Sequence, residues 1–245
     1  MKTVKLFDCD VANLTMKETL YEIEKIIQKG QVTQHVVINA GKIVQMSKDQ
    51  RLKDIVKNCP IINADGQSIV WASKLLNNPL PERVAGIDLM DNLIRISAEK
   101  KYGIYFFGAK EEVVREVIKK YKYKYPTLKV SGYRNGYFNE EDIPSIVNDM
   151  RKSNADILFV AFSSPKKEYW LAENIDKINI PFCMGVGGSF DVIAGKTKRA
   201  PKWMQRIGLE WFYRFLQEPC RMWKRYLIGN TKFGLLTLRE FINKK

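Results

Sequence analysis

The amino-acid sequence predicts an α/β fold in which a mostly parallel sheet carries helices on both faces, followed by a C-terminal helical appendage. Three observations support this prediction. Short apolar runs rich in Val, Ile and Phe recur along the first 195 residues, amphipathic segments separate them, and strand signals stop at about residue 196. Strands that alternate with helices form βαβ units, and such units build parallel sheets.

Six apolar runs have the length and composition of buried strands. They lie near residues 35–39, 60–63, 103–107, 128–133, 156–161 and 181–186. A further strand or hairpin is expected near 4–11. Amphipathic helices are expected at 15–29, 42–57, 66–77, 87–101, 110–124, 139–152 and 166–177. Sheets of this kind bind ligands at the carboxyl ends of their strands, so the loops that lead into the helices are the predicted place for a site.

The chain divides into a predicted core, residues 1–195, and an appendage, residues 196–245. Short helices are expected in the appendage near 202–217, 219–228 and 231–243. The net charge of the chain is +14, and the appendage alone carries 13 Lys and Arg against three Asp and Glu. Clustered cations with interleaved aromatic residues attract a polyanion: a nucleic acid, an anionic membrane surface or a diphosphate-bearing substrate.

Cysteine usage and hydropathy predict where the protein works. The four cysteines are widely spaced, which is typical of a reducing compartment rather than of a disulfide framework. The N-terminus has no secretory signal, and no segment approaches the roughly 18 apolar residues of a membrane-spanning helix. We therefore expect a cytoplasmic protein whose membrane contact, on the inner face of the cell membrane, is peripheral.

Asp65 lies where the apolar run PIIN gives way to a helix. A carboxylate in this position either caps the helix or serves as a general base at the carboxyl end of a buried strand, and position alone favours neither. Arg83 lies in the turn before the next helix. It is either a surface cation or a ligand for phosphate, because phosphates bind in such turns.

Two glycine-containing turns follow predicted strands. Gly187 and Gly188, in the run GVGGSFD, allow backbone N–H groups to approach a ligand, and the next helix offers its positive end to a phosphate. Asp191 either lies in the first turn of that helix, where the helix dipole stabilises a carboxylate, or accepts hydrogen bonds from a nucleobase or ribose. The second turn contains Gly108 and Ala109, in YFFGAKEEV. Two such turns could hold the parts of one nucleotide.

Further features of the sequence concern nucleobase stacking, metal binding and known catalytic or phosphate-binding motifs. Tyr137, in the loop GYRNGYF, either packs within the loop or stacks on a nucleobase. The one histidine, His35, starts a strand and is expected to pack, since one histidine cannot form a metal cluster. Neither a GxSxG elbow nor a GxxxxGK[ST] phosphate loop is present. The triplet Asp8-Cys9-Asp10 imitates a metal-binding DxD motif, but it does not follow a nucleotide-binding run.

A series of motifs in fixed order resembles the WecG/TagA/CpsF family of bacterial glycosyltransferases. They are NADGQSIVWASK (63–74), LPERVAGIDLM (80–90), FFGAK (106–110), NGYF (135–138), SPKKEYW (164–170), GVGGSFDVIAGKTKRAP (185–201) and LEWFYRFLQEPCR (209–221). The resemblance covers essentially the whole chain, and its C-terminal part is the most specific.

The resemblance implies a Rossmann-like core and an inverting glycosyltransferase that needs no metal or other cofactor. Family members move N-acetylmannosamine or its uronic acid from a UDP-sugar to a polyprenyl-diphosphate-linked sugar, in the synthesis of polymers such as teichoic acid. Their appendage docks at the membrane and helps to close the active site. The implied partners are therefore the UDP-sugar, the lipid-linked acceptor and an anionic membrane surface, and not a nucleic acid. The resemblance leaves open whether the protein forms a homo-oligomer.

The motifs also imply individual roles. Asp65 is the implied base that deprotonates the acceptor hydroxyl, and Arg83 falls near the acceptor. The implied substrate-binding residues are Asn39, Gln67, Gly108, Ala109, Tyr137, Lys167, Gly187, Gly188, Asp191, Arg214, Arg221, Lys224 and Arg225. Within this set, Tyr137, Asp191 and the glycines at 187–188 fall on the UDP pocket.

The sequence departs from the family pattern in three ways. Arg214 and Arg221 fall on arginines that reach the diphosphates, but the basic pair 224–225 leaves the third appendage cation ambiguous. Val37 stands where the family carries Thr, and Lys167 stands where it carries Gln. These departures favour an altered substrate preference. The alternative is a catalytically weakened module that binds nucleotide-sugars or lipid-linked intermediates, while a nucleic-acid-binding protein rests on basicity alone.

Overall fold

The computed structural model describes residues 1–243, apart from the side chains of residues 221, 222, 224 and 225. An antiparallel hairpin at the N-terminus pairs β1 (Thr3–Leu6) with β2 (Cys9–Ala12). The hairpin predicted near residues 4–11 is confirmed. Within the described residues, no helix combines the length and the apolar character that crossing a membrane requires.

Six parallel strands form the central sheet. They are β3 (Thr33–Ile38), β4 (Ile61–Ala64), β5 (Ile104–Gly108), β6 (Val130–Arg134), β7 (Ile157–Ala161) and β8 (Phe182–Gly185). Their spatial order is β4-β3-β8-β7-β5-β6, and every neighbouring pair is parallel. The predicted α/β class with a Rossmann-like parallel sheet is confirmed. All six carboxyl ends therefore lie at one edge of the sheet.

Helices connect the strands and continue beyond them. The helices of the first 195 residues are α1 (Met16–Lys29), α2 (Ala40–Met46), α3 (Gln50–Lys57), α4 (Gln67–Leu75), α5 (Gly86–Lys100), α6 (Glu111–Lys124), α7 (Ile143–Lys152), α8 (Lys166–Ile178) and α9 (Ser189–Ala194). The later ones are α10 (Lys202–Arg206), α11 (Glu210–Gln217), α12 (Pro219–Trp223), a π-helical turn (Lys224–Ile228) and α13 (Gly229–Asn243).

Two predicted helices are each divided in the structure. The segment 42–57 forms α2 and α3, because the Asp49 side chain accepts a hydrogen bond from Leu52 N at 3.0 Å and starts a new helix. The segment 202–217 forms α10 and α11. Gly208 separates them with φ of +78°, a left-handed conformation that ends α10.

Alternating side chains bury both faces of the sheet. Phe106 and Phe159 point into a cluster that includes α1, α5 and α6, whereas their neighbours Phe107 and Leu158 join a second cluster with α7 and α8. Side chains of successive strand residues point to opposite faces, so a strand covered on both sides is apolar at most of its positions. This packing fixes the strand ends that carry the candidate site.

The last helix packs on the core rather than away from it. Phe233 of α13 is 7% exposed and belongs to a buried cluster with Leu6 and Ile43. Its ring lies 5.3 Å from that of Phe7, and the Phe7 backbone N–H donates to the Glu240 carboxylate at 3.0 Å. The boundary at residue 195 stays a prediction. Removing everything after it would also strip a core helix from the hairpin and α2.

Candidate active site

The carboxyl ends of adjacent strands bring predicted site residues to one edge of the sheet. Asn39 follows β3, Asp65 follows β4, and the glycine turn, residues 185–188, follows β8. The Asp65 backbone N–H donates to Ile38 O at 2.9 Å, which ties the ends of β3 and β4 together. These residues therefore face the crevice where parallel sheets bind ligands.

Asp65 lies between β4 and α4, but its carboxylate points toward a different helix. The N-cap of α4 is Gly66, and no side chain in the described part of the chain caps that helix. Asp65 Oδ1 instead accepts a hydrogen bond from Gly86 N at 3.0 Å, at the positive N-terminal end of α5. The interpretation of Asp65 as the cap of α4 is wrong. Its role as general base stays a prediction.

The environment of Asp65 tunes its acidity. Burial raises the pKa of its carboxyl, while the Gly86 hydrogen bond and the Arg83 guanidinium oppose that rise. Val84, next to Arg83, donates its backbone N–H to the O of Ala64, next to Asp65, at 2.9 Å, so the structure brings the two predicted catalytic residues together. A carboxylate with a raised pKa is a stronger base than an exposed one, as a general base for a sugar hydroxyl needs to be.

Arg83 also contacts the appendage. Its Nη1 donates to Glu210 Oε2 of α11 at 3.2 Å, and the Arg83 side chain is only 15% exposed. Glu210 Oε1 accepts from Arg199 Nε at 3.1 Å. Arg199 in turn donates from both Nη atoms to the Asp88 carboxylate, at 2.6 and 2.7 Å. The appendage thus packs over Arg83 at this edge of the sheet.

Lys167 belongs to a buried cluster of three charges with Lys42 and Glu168. Lys167 Nζ lies 2.9 Å from Glu168 Oε1, and Lys42 Nζ donates to the same oxygen. Burial and the neighbouring Lys42 lower the pKa of Lys167 to about 8. Although burial acts to raise it, the two ammonium groups hold the pKa of Glu168 at about 2. One carboxylate cannot compensate two ammonium groups, so an excess positive charge remains near Asp65.

Two other predicted substrate-binding residues have structural partners. Asn39 is the N-cap of α2, and its Oδ1 accepts from Lys42 N at 3.0 Å. Gln67 opens α4 and lies under the appendage, because a Cβ on Gly208 would be only 2.7 Å from Gln67 Cγ. Their contacts with substrate stay predictions. The Gln67 packing shows that α10 and α11 approach the strand ends closely.

The glycine turn after β8 lies beneath an arginine of the appendage. A Cβ on Gly188 would be 3.2 Å from Arg214 Nη2. Arg214 Nε is buried, and the described residues offer it no hydrogen-bond partner. Gly187 has φ of +56°, and Asp191 lies half-buried in the first turn of α9. A guanidinium over a turn of backbone N–H groups is a favourable setting for a phosphate.

The second predicted turn, after β5, forms the other part of the crevice. Gly108 and Ala109 both have positive φ, and Gly136 N donates to Ala109 O at 2.8 Å. This contact holds the loop that carries Tyr137, whose ring is 68% exposed. An open depression of about 440 Å³ lies here, lined by Lys110, Glu111, Glu112, Asn135 and Tyr137. Tyr137 does not pack within its loop and is accessible to a ligand.

Gly108 gives a testable consequence of this turn. Its φ is +113°, and an added Cβ would lie 3.0 Å from three backbone atoms of Ala161. We expect Gly108→Ala to lower the free energy of unfolding by about 2–4 kcal/mol, measured by chemical denaturation. The control is Gly234→Ala in α13, where a Cβ meets no described atom within 4 Å and the effect should be neutral or stabilising. Equal effects of the two substitutions would contradict the strain at Gly108.

His35 and the triplet Asp8-Cys9-Asp10, which the sequence argues against as metal ligands, make other contacts in the structure. His35 is buried, its Nε2 lies 2.9 Å from Asn63 Oδ1, and burial lowers its pKa to about 4, so the predicted packing role is confirmed. In the Asp8-Cys9-Asp10 triplet, Cys9 is buried and Asp8 pairs with Lys53 at 2.8 Å. No cluster of three or more His, Cys, Asp or Glu side chains suited to a metal is found in the part of the chain that the structure describes.

Comparison with known proteins agrees with this site. The model of the glycosyl transferase WecG/TagA/CpsF family matches residues 4–245. The chain belongs to this family. The resemblance seen in the sequence motifs is confirmed over nearly the whole length.

Relatives of this WecG/TagA/CpsF-family chain share one activity in their names, N-acetylglucosaminyldiphosphoundecaprenol N-acetyl-beta-D-mannosaminyltransferase. The protein from Bacillus subtilis (strain 168) is 37% identical over 198 residues, or 81% of this chain and 76% of the relative. That from Bacillus spizizenii (strain ATCC 23059 / NRRL B-14472 / W23) is 34% identical over 180 residues, or 74% and 69%. That from Staphylococcus aureus (strain MW2) is 30% identical over 231 residues, or 94% and 88%. The chain is therefore a glycosyltransferase.

The departures from the WecG/TagA/CpsF pattern lie inside the site. Val37 is buried, and its methyl groups lie 3.7 and 3.8 Å from where a Cβ on Gly86 would be, beside the amide that Asp65 accepts from. Lys167 lies over Gly185, where a Cβ would be 2.6 Å from its Cδ. Both side chains are thus buried near the strand ends, and contact of Lys167 with substrate stays a prediction.

Several site residues of this family member were not identified from the sequence. Glu210, Arg199 and Asp88 form the ion-pair network, and Lys42 joins Glu168 in the buried cluster. Glu210 and Asp88 lie within the motifs that carry the resemblance, but sequence spacing does not reveal partners more than 100 residues away. The side chains of Arg221, Lys224 and Arg225 lie outside the described residues.

Proposed function

We propose that this chain transfers N-acetylmannosamine from a UDP donor to N-acetylglucosaminyl-diphosphoundecaprenol, as the names of its relatives describe for them. The observation that carries the proposal is the placement of Asp65 beside Arg83 at the strand ends, opposite a glycine turn covered by Arg214. A base, an acceptor-side cation and a phosphate-side cation are the three groups that this transfer needs.

Asp65 acts on the acceptor in this proposal. Its carboxylate removes the proton from the acceptor hydroxyl, whose oxygen forms a bond to the anomeric carbon of the donor sugar. The bond between that carbon and the UDP oxygen breaks at the opposite side, so a single displacement inverts the anomeric configuration. The proton stays on Asp65 and the electron pair leaves with UDP.

The leaving diphosphate is stabilised by groups of this chain. Arg214 lies over Gly188 of the glycine turn, so its guanidinium is beside the start of α9. Fixed cations and N–H donors stabilise a developing anion without reorganisation. We propose that these groups serve in place of a metal ion. Tyr137 and Asp191, at the two turns, are proposed to contact the nucleoside.

The appendage is proposed to bring the site to its lipid-linked acceptor. Large apolar side chains on α10, directly after it, on α11 and on the π-helical turn are exposed, namely those of Trp203, Ile207, Phe212, Leu216 and Leu227. Exposed apolar side chains in a segment whose sequence carries 13 basic residues are suited to an anionic membrane. The proposal therefore locates the protein in the cytoplasm, peripherally on the inner face of the cell membrane.

A donor screen tests this function. UDP release is measured with the lipid-linked acceptor and, in turn, UDP-N-acetylmannosamine, its uronic acid, UDP-N-acetylglucosamine and UDP-glucose. We expect the fastest acceptor-dependent release with UDP-N-acetylmannosamine. Binding of donor and acceptor without release from any donor would instead support a weakened binding module. Lys167→Gln in the same screen measures whether the buried cation alters donor preference.

A further inference from the structure

The two carboxylate oxygens of Glu210 accept hydrogen bonds from arginines in different parts of the chain. Oε2 accepts from Arg83 of the core at 3.2 Å, and Oε1 accepts from Arg199 of the appendage at 3.1 Å. The Glu210 side chain is 30% exposed, so water screens these ion pairs less than pairs at an open surface. One carboxylate therefore joins the two parts of the chain at the site.

The same network extends to the helix that holds the proposed base. Arg199 makes a bidentate ion pair with Asp88 in the first turn of α5, at 2.6 and 2.7 Å. Gly86, two residues earlier in that turn, donates to Asp65. Bidentate arginine–carboxylate pairs fix orientation as well as distance. The start of α5 thus connects Asp65, through Asp88 and Arg199, to Glu210 and back to Arg83.

Helix α11 reaches both sides of the crevice from one face. Glu210 and Arg214 are four residues apart, so their side chains share a face of the helix. Glu210 contacts Arg83 on the acceptor side, and Arg214 lies over Gly188 on the diphosphate side. An anchor at Glu210 consequently determines where Arg214 is held.

We propose that Glu210 is a positioning residue of the transfer reaction: it fixes α11 on the core, orients Arg83 beside Asp65 and places Arg214 over the glycine turn. This inference rests on the proposed function for the reaction itself, but the anchoring of α11 stands on the contacts alone.

The charges around Asp65 distinguish a positioning role of Glu210 from an effect of Glu210 on the protonation of Asp65. Arg83 from the preceding loop, Glu210 from α11, Lys42 from α2 and Lys167 from α8 all act on the Asp65 carboxyl. Glu210 alone among these four raises the pKa of Asp65, so its removal favours the ionised base. A loss of turnover on removing Glu210 therefore does not arise from protonation of Asp65, and a readout of how α11 is held separates lost positioning from a weakened base.

A double-mutant cycle on the full chain tests the proposal. The acceptor kcat/KM is measured for wild type, Glu210→Gln, Arg83→Gln and the double variant, with UDP-N-acetylmannosamine as donor. We expect Glu210→Gln to lower kcat/KM by about 10- to 100-fold, the scale of a lost hydrogen bond between charged groups. The double variant should be less impaired than the product of the two single effects, because both substitutions break the contact between Arg83 and Glu210, and Glu210→Asp should retain more activity than Glu210→Gln. The control is Glu99→Gln, which breaks an exposed pair on α5 with Arg95.

Limited trypsin digestion gives a readout that does not depend on turnover. Lys202 and Arg206 of α10 are exposed cleavage sites beside the anchor. Glu210→Gln should speed cleavage there at unchanged overall unfolding temperature, and Glu99→Gln should not. Cleavage at the wild-type rate, or kinetic effects of Glu210→Gln and Arg83→Gln that multiply, would overturn the positioning role. A wild-type chain without transfer contradicts the proposed function, and the digestion still decides whether Glu210 anchors α11.

Discussion

Replacing Asp65 by Asn is expected to reduce kcat by about 10²- to 10⁴-fold, the range that general-base catalysis contributes. The Asn carboxamide oxygen can still accept the hydrogen bond from Gly86 N, so the fold around β4 and α5 should persist. What the variant loses is the capacity to take the acceptor proton. Steady-state UDP release, with circular dichroism as a check of folding, measures this directly.

The pH dependence of the wild type gives a second test of Asp65. The base acts when ionised, so kcat/KM should rise with pH through the pKa of Asp65, which burial places above the ordinary carboxyl value. Asp54→Asn, at an exposed position of α3, is the control and should retain wild-type turnover. Turnover of Asp65→Asn within a few-fold of this control would show that Asp65 is not the base.

The second large effect is expected on stability, from the cluster of Lys42, Lys167 and Glu168. Glu168→Gln removes the one carboxylate that is hydrogen-bonded to both buried ammonium groups among the described residues, and leaves them only the longer-range attraction of Asp65. Breaking a buried ion pair in this way destabilises by about 3–5 kcal/mol. Chemical denaturation at neutral pH should show a loss of this size.

The pH dependence of unfolding follows from the same carboxylate. The two ammonium groups hold the pKa of Glu168 at about 2, below its value in an unfolded chain. Its contribution is therefore present above the unfolded value, near pH 4, and lost as the pH falls toward 2. Glu173→Gln on the same helix breaks an exposed pair with Arg51 and should change stability by less than about 0.5 kcal/mol. Similar losses for the two variants would contradict the buried cluster.

The sequence predicted the frame of the site because that frame depends on local patterns. The run Ile61–Ala64 is short and mostly apolar, as is typical of a strand covered on both faces. Asp65 directly follows it. Strand ends of a parallel sheet meet at one edge, and Asp65 and the glycine turn at 187–188 both lie at that edge because they follow β4 and β8. The division of 42–57 into two helices was missed, because the Asp49 cap competes with a continuous apolar pattern.

The partners of the site residues could not be predicted in the same way. Asp65 contacts Gly86 and Arg83 contacts Glu210 only after α5 and α11 have docked, 21 and 127 residues further along the chain. A lysine at position 167 resembles any surface lysine in sequence, and its burial follows from the approach of α8 to Gly185. The return of α13 onto the N-terminal hairpin likewise depends on packing rather than on pattern.

The central claim is that Asp65 drives transfer of a sugar from UDP to a lipid-linked acceptor at this crevice. The most direct test incubates wild type and Asp65→Asn with UDP-N-acetylmannosamine and N-acetylglucosaminyl-diphosphoundecaprenol, and identifies the lipid product by mass spectrometry. The account predicts a lipid-linked disaccharide and an equal amount of UDP from wild type, and almost none of either from the variant. UDP release without the disaccharide, or equal product from both proteins, would contradict it.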